Sequence, residues 1–131
     1  MAKILLVDDV YMARSMAERV LTHVGRYTVH SVGSGAEAID AALAESPDLI
    51  VLDISMGAMD GITTLRELRD RGVMCPAIAF TARTERTLGE FSSHGFSAYV
   101  SKNGNLSSLL ETVRSVLGLK GRSSTSPLPT G

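Results

Sequence analysis

Five polar residues of the 131-residue chain stand at the ends of short apolar runs. Asp8 and Asp9 follow Ile4–Val7, Asp53 follows Leu49–Leu52, Thr81 closes Pro76–Phe80, and Lys102 lies two residues past Ala98–Val100. Singly, each has an ordinary reading. An aspartate beside a helix start is a cap, Asp53 is a loop carboxylate, Thr81 caps the next helix, and Lys102 is a surface lysine. Together the ordinary readings fail, because folding would gather three carboxylates with nothing to offset them. Two like charges about 4 Å apart repel by roughly 4 kcal/mol at an effective dielectric of 20. Such a cluster raises a pKa or binds a cation. Hard carboxylate oxygens with no His or Cys beside them select Mg2+ or a similar ion over zinc. Acids that hold a cation, with an ammonium opposite and a hydroxyl alongside, form a phosphoryl-binding arrangement. One carboxylate is then placed to act as a nucleophile and form an acyl phosphate. Asp53, between the other groups, is the candidate.

The positioning elements follow from hydropathy. The four runs lack the alternation of a strand with one wet face, so they read as strands covered on both sides. A fifth run, Tyr27–Ser31, is more polar and suits a sheet edge. Helical periods lie between them. Met12, Ala13, Met16, Ala17, Val20, Leu21 and Val24 share one face of the first helix. Ala38, Ile39, Ala42 and Leu43 mark the second, which opens on Ser34-Gly35-Ala36-Glu37, a capping box, and is followed by Pro47. Ile62, Leu65 and Leu68 mark the third, and Leu106 to Leu117, capped by Asn105, the fifth. The fourth, Thr84–His94, has only Leu88 and Phe91 as apolar anchors and is expected to be the loosest. The order βαβαβαβαβα predicts a doubly wound α/β fold: a five-stranded parallel sheet, (βα)5, with helices on both faces. In such sheets the working residues collect beyond the carboxyl ends of the strands, where these five stand.

Composition limits the alternatives. With 13 basic and 14 acidic side chains, a net charge of −1, and 44% hydrophobic residues, this is the make-up of one globular domain. It carries no basic stripe for nucleic acid. The apolar runs are too short for a membrane span or a signal peptide, so a cytoplasmic module with no membrane partner is expected. Cys75, the single cysteine, has no internal partner and reads as a partly buried small hydrophobe. His23, His30 and His94 are scattered and read as surface residues, and the six methionines as mostly core filler on helical faces. Gly33-Ser34-Gly35 lacks the lysine of a phosphate loop and shapes the entry to the second helix.

Ile4-Leu5-Leu6-Val7-Asp8-Asp9, Asp53-Ile54-Ser55-Met56 with Met59-Asp60-Gly61, Thr81-Ala82, Tyr99 and Lys102 occur in an order and spacing that resembles the receiver domain of bacterial two-component response regulators. The resemblance covers about residues 3–118 and implies a CheY-like, flavodoxin-like fold. It implies that Asp53 accepts a phosphoryl group from a histidine kinase or histidine phosphotransfer protein. Asp9, Asp53 and the Ser55 backbone carbonyl would ligate Mg2+, with Asp8 assisting through water. Thr81 and Lys102 would hold the phosphoryl oxygens, and Thr81 and Tyr99 would form a switch pair. Ser55 and Arg83, two residues after Asp53 and Thr81, would border the phosphoryl group. A downstream effector protein would read the face made by the fourth helix, fifth strand and fifth helix.

Two positions depart from the family pattern. Gly57 replaces a usual proline, which loosens the loop after Asp53. Asn103 replaces the proline after the lysine, so a trans peptide or a remodelled loop is expected there. Residues 119–131, rich in Ser, Pro and Gly, are expected to be a short disordered tail. The expectation is therefore a stand-alone receiver, not an enzyme, that signals by phosphorylation-dependent protein binding. A Mg2+ phosphohydrolase would need an acid two residues after its nucleophile, where Ser55 stands. A flavin carrier of the same layer order would need phosphate-binding donors after the first strand, where Asp8-Asp9 stand instead. A receiver fold used only as an unphosphorylated binding surface would not need the acid, threonine and lysine set.

Overall fold

A computed structural model describes residues 2–82 and 88–125. The elements run β1 (Lys3–Val7), α1 (Tyr11–Arg19), β2 (Thr28–Val32), α2 (Gly35–Glu45), β3 (Leu49–Leu52), α3 (Gly61–Asp70), β4 (Ala77–Thr81), α4 (Leu88–Ser93), β5 (Ala98–Ser101) and α5 (Leu106–Thr125). A π-helical turn, Val20–Val24, extends α1. The strands form one parallel sheet in the order β2-β1-β3-β4-β5, as the alternation predicts. The order reverses between β1 and β3, so the ends of these central strands flank the switch point.

Both faces of the sheet are covered, which is why its inner strands read as unbroken apolar runs. Leu5, Val7, Ile50, Leu52, Ala77 and Ala79 pack on one side with residues of α2 and α3. Ile4, Leu6, Leu49, Val51, Ile78, Phe80 and Val100 pack on the other with α1 and α5. β2, with its exposed alternate residues, is an edge strand as expected. The expected caps are in place. Ser34 Oγ accepts from the Glu37 amide at 3.1 Å, and Asn105 Oδ1 accepts from the amides of Ser107 and Ser108 at 3.1 and 3.3 Å.

Three expectations need correction. The first-helix stripe is only half inward: Ala17 and Leu21 are buried, while Met12, Met16 and Val24 are exposed. With Met74, also exposed, three of the methionines are surface residues and not core filler. Periodicity marks a face, but α1 covers the sheet with small Ala17 and with Leu21, and its broader apolar arc extends past the contact. The fifth helix runs to Thr125, so residues 119–125 are helical where a disordered tail was expected; residues 126–131 lie outside the described residues. Helix propagation from a well-anchored start costs little per added residue, and a glycine in a helix costs only about 1 kcal/mol. Most of the fourth helical segment's start, with Arg83, also lies outside the described residues. No helix among the described residues is long and apolar enough to cross a membrane.

Candidate functional site

β1 and β3 are in register, Val7 opposite Leu52, so the residues that follow them, Asp8 and Asp53, leave the sheet side by side. The Asp53 amide donates to the Val7 carbonyl at 2.9 Å and continues that ladder. Asp8, Asp9 and Asp53 each offer a carboxylate oxygen within 4.8 Å of the others. Asp8 and Asp53 are buried and Asp9 is exposed, so the cluster is open on one side.

Lys102 enters from β5. Its amide donates to the Thr81 carbonyl at 2.9 Å, which holds the strand end of β5 against that of β4. Its Nζ lies 3.2 Å from Asp53 Oδ2 and 2.5 Å from Asp8 Oδ2. The Lys102–Asn103 peptide is trans. Polar contacts hold the loop: the Asn103 amide donates to Ser101 Oγ at 3.0 Å and its side chain to the Ala82 carbonyl at 3.4 Å. The ammonium also lies 5.6 Å from the Phe80 ring centroid. Phe80 was legible as a core residue, but nothing in its spacing marks it as a contact of the lysine.

Thr81 is fully buried at the end of β4, paired with Ser101. Tyr99 pairs with Ala79, two residues back along the same two strands, so Thr81 and Tyr99 share a sheet face. The tyrosine is half-buried against the core on that side. Ser55 lies in the exposed loop after β3, and its amide donates to Asp53 Oδ1 at 3.2 Å. The three histidines are on the surface, as expected, with His30 paired to Glu45. Cys75 is half-buried.

Burial pushes the Asp53 carboxyl above its ordinary pKa of 3.8; the ammonium of Lys102 pulls it down, and the Asp8 charge pushes it up again. The upward shift prevails. The folded protein therefore holds the Asp53 proton more tightly than the unfolded chain does. The stabilisation is complete below the unfolded value of 3.8 and is lost as pH rises through the folded value. At pH 7 without divalent cations, ionised Asp53 is a net cost to the fold. Asp53→Asn is expected to raise the melting temperature by about 2–6 °C at pH 7 in EDTA. The gain should vanish at pH 3, and melts at the two pH values check it.

The donor set fits a hard divalent cation. Asp8 Oδ2 is buried and receives no aligned hydrogen bond, despite the nearby ammonium, and Asp9 faces solvent beside it. A cation bound there would satisfy that oxygen and offset the repulsion between the acids.

Comparison with known proteins identifies the family of the chain. Residues 4–114 match the family model described as the response regulator receiver domain. The chain is 36% identical over 118 residues to response regulator MprA of Mycobacterium avium and to that of Mycobacterium tuberculosis, which covers 88% of this chain. It spans about half the length of these curated relatives (50%). Among solved structures, Vibrio cholerae chemotaxis protein CheY4 superposes with a TM-score of 0.81 at 29% identity over 88% of this chain and 98% of that one. Response regulator TrrA of Thermotoga maritima, solved in complex with Mg2+-BeF, gives 0.79 at 29% identity, over 88% and 99% of the two chains.

Proposed function

The chain belongs to the response regulator receiver domain family, and from that membership and the strand-end geometry we propose that it is a phosphorylation-dependent switch with Asp53 as phosphoryl acceptor. The observation that carries the reading is the meeting of Lys102 Nζ with both Asp53 Oδ2 and Asp8 Oδ2, beside Asp9. An Asp53 oxygen attacks the phosphorus of a phosphohistidine on a histidine kinase or histidine phosphotransfer protein. The P–N bond breaks, the imidazole leaves with its electron pair and takes up a proton, and Asp53 becomes an acyl phosphate. Lys102 turns from pairing with the ionised carboxylate to holding a phosphoryl oxygen, and Thr81 donates to a second. Asp8, Asp9, Asp53 and the Ser55 carbonyl are the residues that would hold Mg2+. When bound, the ion neutralises charge on the transferring group.

The signal follows from Thr81. Movement of its hydroxyl toward the phosphoryl group frees space on the sheet face it shares with Tyr99, and the ring turns inward. A downstream effector protein then reads the α4-β5-α5 surface. The position two residues after Asp53 is Ser55, which supplies no general acid for turnover and favours a switch over a phosphohydrolase.

Incubation with acetyl phosphate and Mg2+, followed by intact mass spectrometry, tests the reading. One phosphoryl adduct mapped to Asp53, absent in Asp53→Asn and in EDTA, is expected. An adduct at another residue, or one indifferent to Mg2+, would overturn it.

A further inference from the structure

Asp8 is held at three of its polar points by the fold. Its amide donates to the Val32 carbonyl at 3.1 Å. Its Oδ1 accepts from the Val10 amide at 2.9 Å, which serves a helix start that has no side-chain cap of its own. Its carbonyl accepts from Arg14 Nη1 at 2.7 Å. Arg14 lies in the first turns of α1, where its amide donates to the Val10 carbonyl at 3.0 Å, and a helical side chain runs back toward the N-terminus. That direction carries the guanidinium to the strand end of β1.

The space it occupies is kept open. A methyl group at Gly33, in the β2–α2 loop, would stand 2.9 Å from Arg14 Nη1. On another side Tyr11, itself mostly exposed, has its ring centroid 5.4 Å from Arg14 Cζ. Arg14 thus ties the peptide joining Asp8 to Asp9 to the first helix and sits close against Gly33 of the β2–α2 loop. Only Oδ2 of Asp8 then faces the acid cluster without an aligned donor.

We propose that Arg14 is a positioning residue for the metal-binding acids: through the Asp8 carbonyl it fixes the Asp8–Asp9 peptide so that both carboxylates present to one cation. This inference rests on the Mg2+ reading of the site given above. Its sign separates it from plain electrostatics. A guanidinium near an acid cluster repels a divalent cation, so its removal would tighten binding if charge were its contribution. If position is its contribution, removal weakens binding.

Isothermal titration of the full chain with MgCl2 decides between them. Arg14→Met is expected to bind Mg2+ about 10-fold more weakly than wild type, the scale of lost outer-shell support. Arg14→Lys, which keeps one donor of similar reach, should recover most of the loss. Urea melts in EDTA should differ far less than the affinities do. If Arg14→Met does not fold, Gly33→Ala decides instead: it keeps every charge, crowds Nη1, and should also weaken binding severalfold. Unchanged or tighter binding in Arg14→Met, or unchanged binding in Gly33→Ala when Arg14→Met is unfolded, would overturn the role of Arg14 alone. A wild-type chain that takes up no Mg2+ would overturn the metal reading and this inference with it.

Discussion

In EDTA at pH 7, Lys102→Met is expected to lose about 3 kcal/mol of unfolding free energy, and millimolar Mg2+ should restore most of it. The lysine side chain is 15% exposed and its ammonium is shared by two buried carboxylates, Asp8 and Asp53. Removing one partner of a buried ion pair leaves charge uncompensated, which costs about 3–5 kcal/mol. Methionine keeps an apolar stem of similar length and removes only the ammonium, with its approach to the Phe80 ring, so the loss reports charge and not a cavity. Part is recovered because one carboxyl protonates, and Asp53, already shifted upward, is the group to do so. A divalent cation supplies the missing positive charge by another route, and rescue is therefore expected to be specific to wells containing it. Urea melts of wild type and variant, with and without MgCl2, measure this. A deficit that Mg2+ leaves untouched would assign Lys102 a packing role only. Phosphoryl uptake from acetyl phosphate should stay about 10²–10³-fold slower even in saturating Mg2+, since the cation does not replace a donor aimed at the transferring oxygens.

The two halves of this site were unequally legible. Asp8, Asp9, Asp53, Thr81 and Lys102 stand directly at strand ends, and strand ends can be read from apolar runs because a doubly covered sheet leaves no alternation. The strand order then brings the ends of β1 and β3 together. Arg14 was not legible. Its part depends on a side chain running back down a helix into space left by Gly33, two features that periodicity does not carry. Burial on α1 departs from its apolar pattern for a related reason. The pattern of Met12, Met16 and Val24 defines an apolar arc, but the width of the arc that meets the sheet is set by the neighbouring elements. α5 continues to Thr125 because Gly, Ser and Thr lower helix propensity only by fractions of a kcal/mol to about 1 kcal/mol each, too little to fix a boundary. The Asn103 departure was visible, whereas the contacts that take the place of proline, to Ser101 and Ala82, came only from the geometry.

Gly61→Ala is expected to destabilise the domain by about 3 kcal/mol and to slow Asp53 phosphorylation by about 10²-fold. Gly61 opens α3 and its amide donates to the Ile54 carbonyl at 2.9 Å, so the helix begins in contact with the segment that carries Asp53. A methyl group there would overlap the Asp53 carbonyl oxygen and stand 2.8 Å from Ile54 Cα and 3.0 Å from Asp53 C. These are backbone atoms with no rotamer to retreat into. Either α3 backs away from β3, which uncovers Leu65 and Leu68, or the Asp53 peptide shifts and carries the carboxylate with it. Gly61 has no positive φ, so the cost is steric and not conformational. Gly57, in the loop that leads into α3, is the matched control: a methyl group there meets nothing within 4 Å. Gly57→Ala should therefore be neutral or stabilise by about 0.4–1 kcal/mol through the unfolded chain. Urea melts and acetyl phosphate labelling of the two variants side by side measure both effects. Equal behaviour of the two would show that the close approach of α3 to the Asp53 backbone is not what holds the acceptor in place.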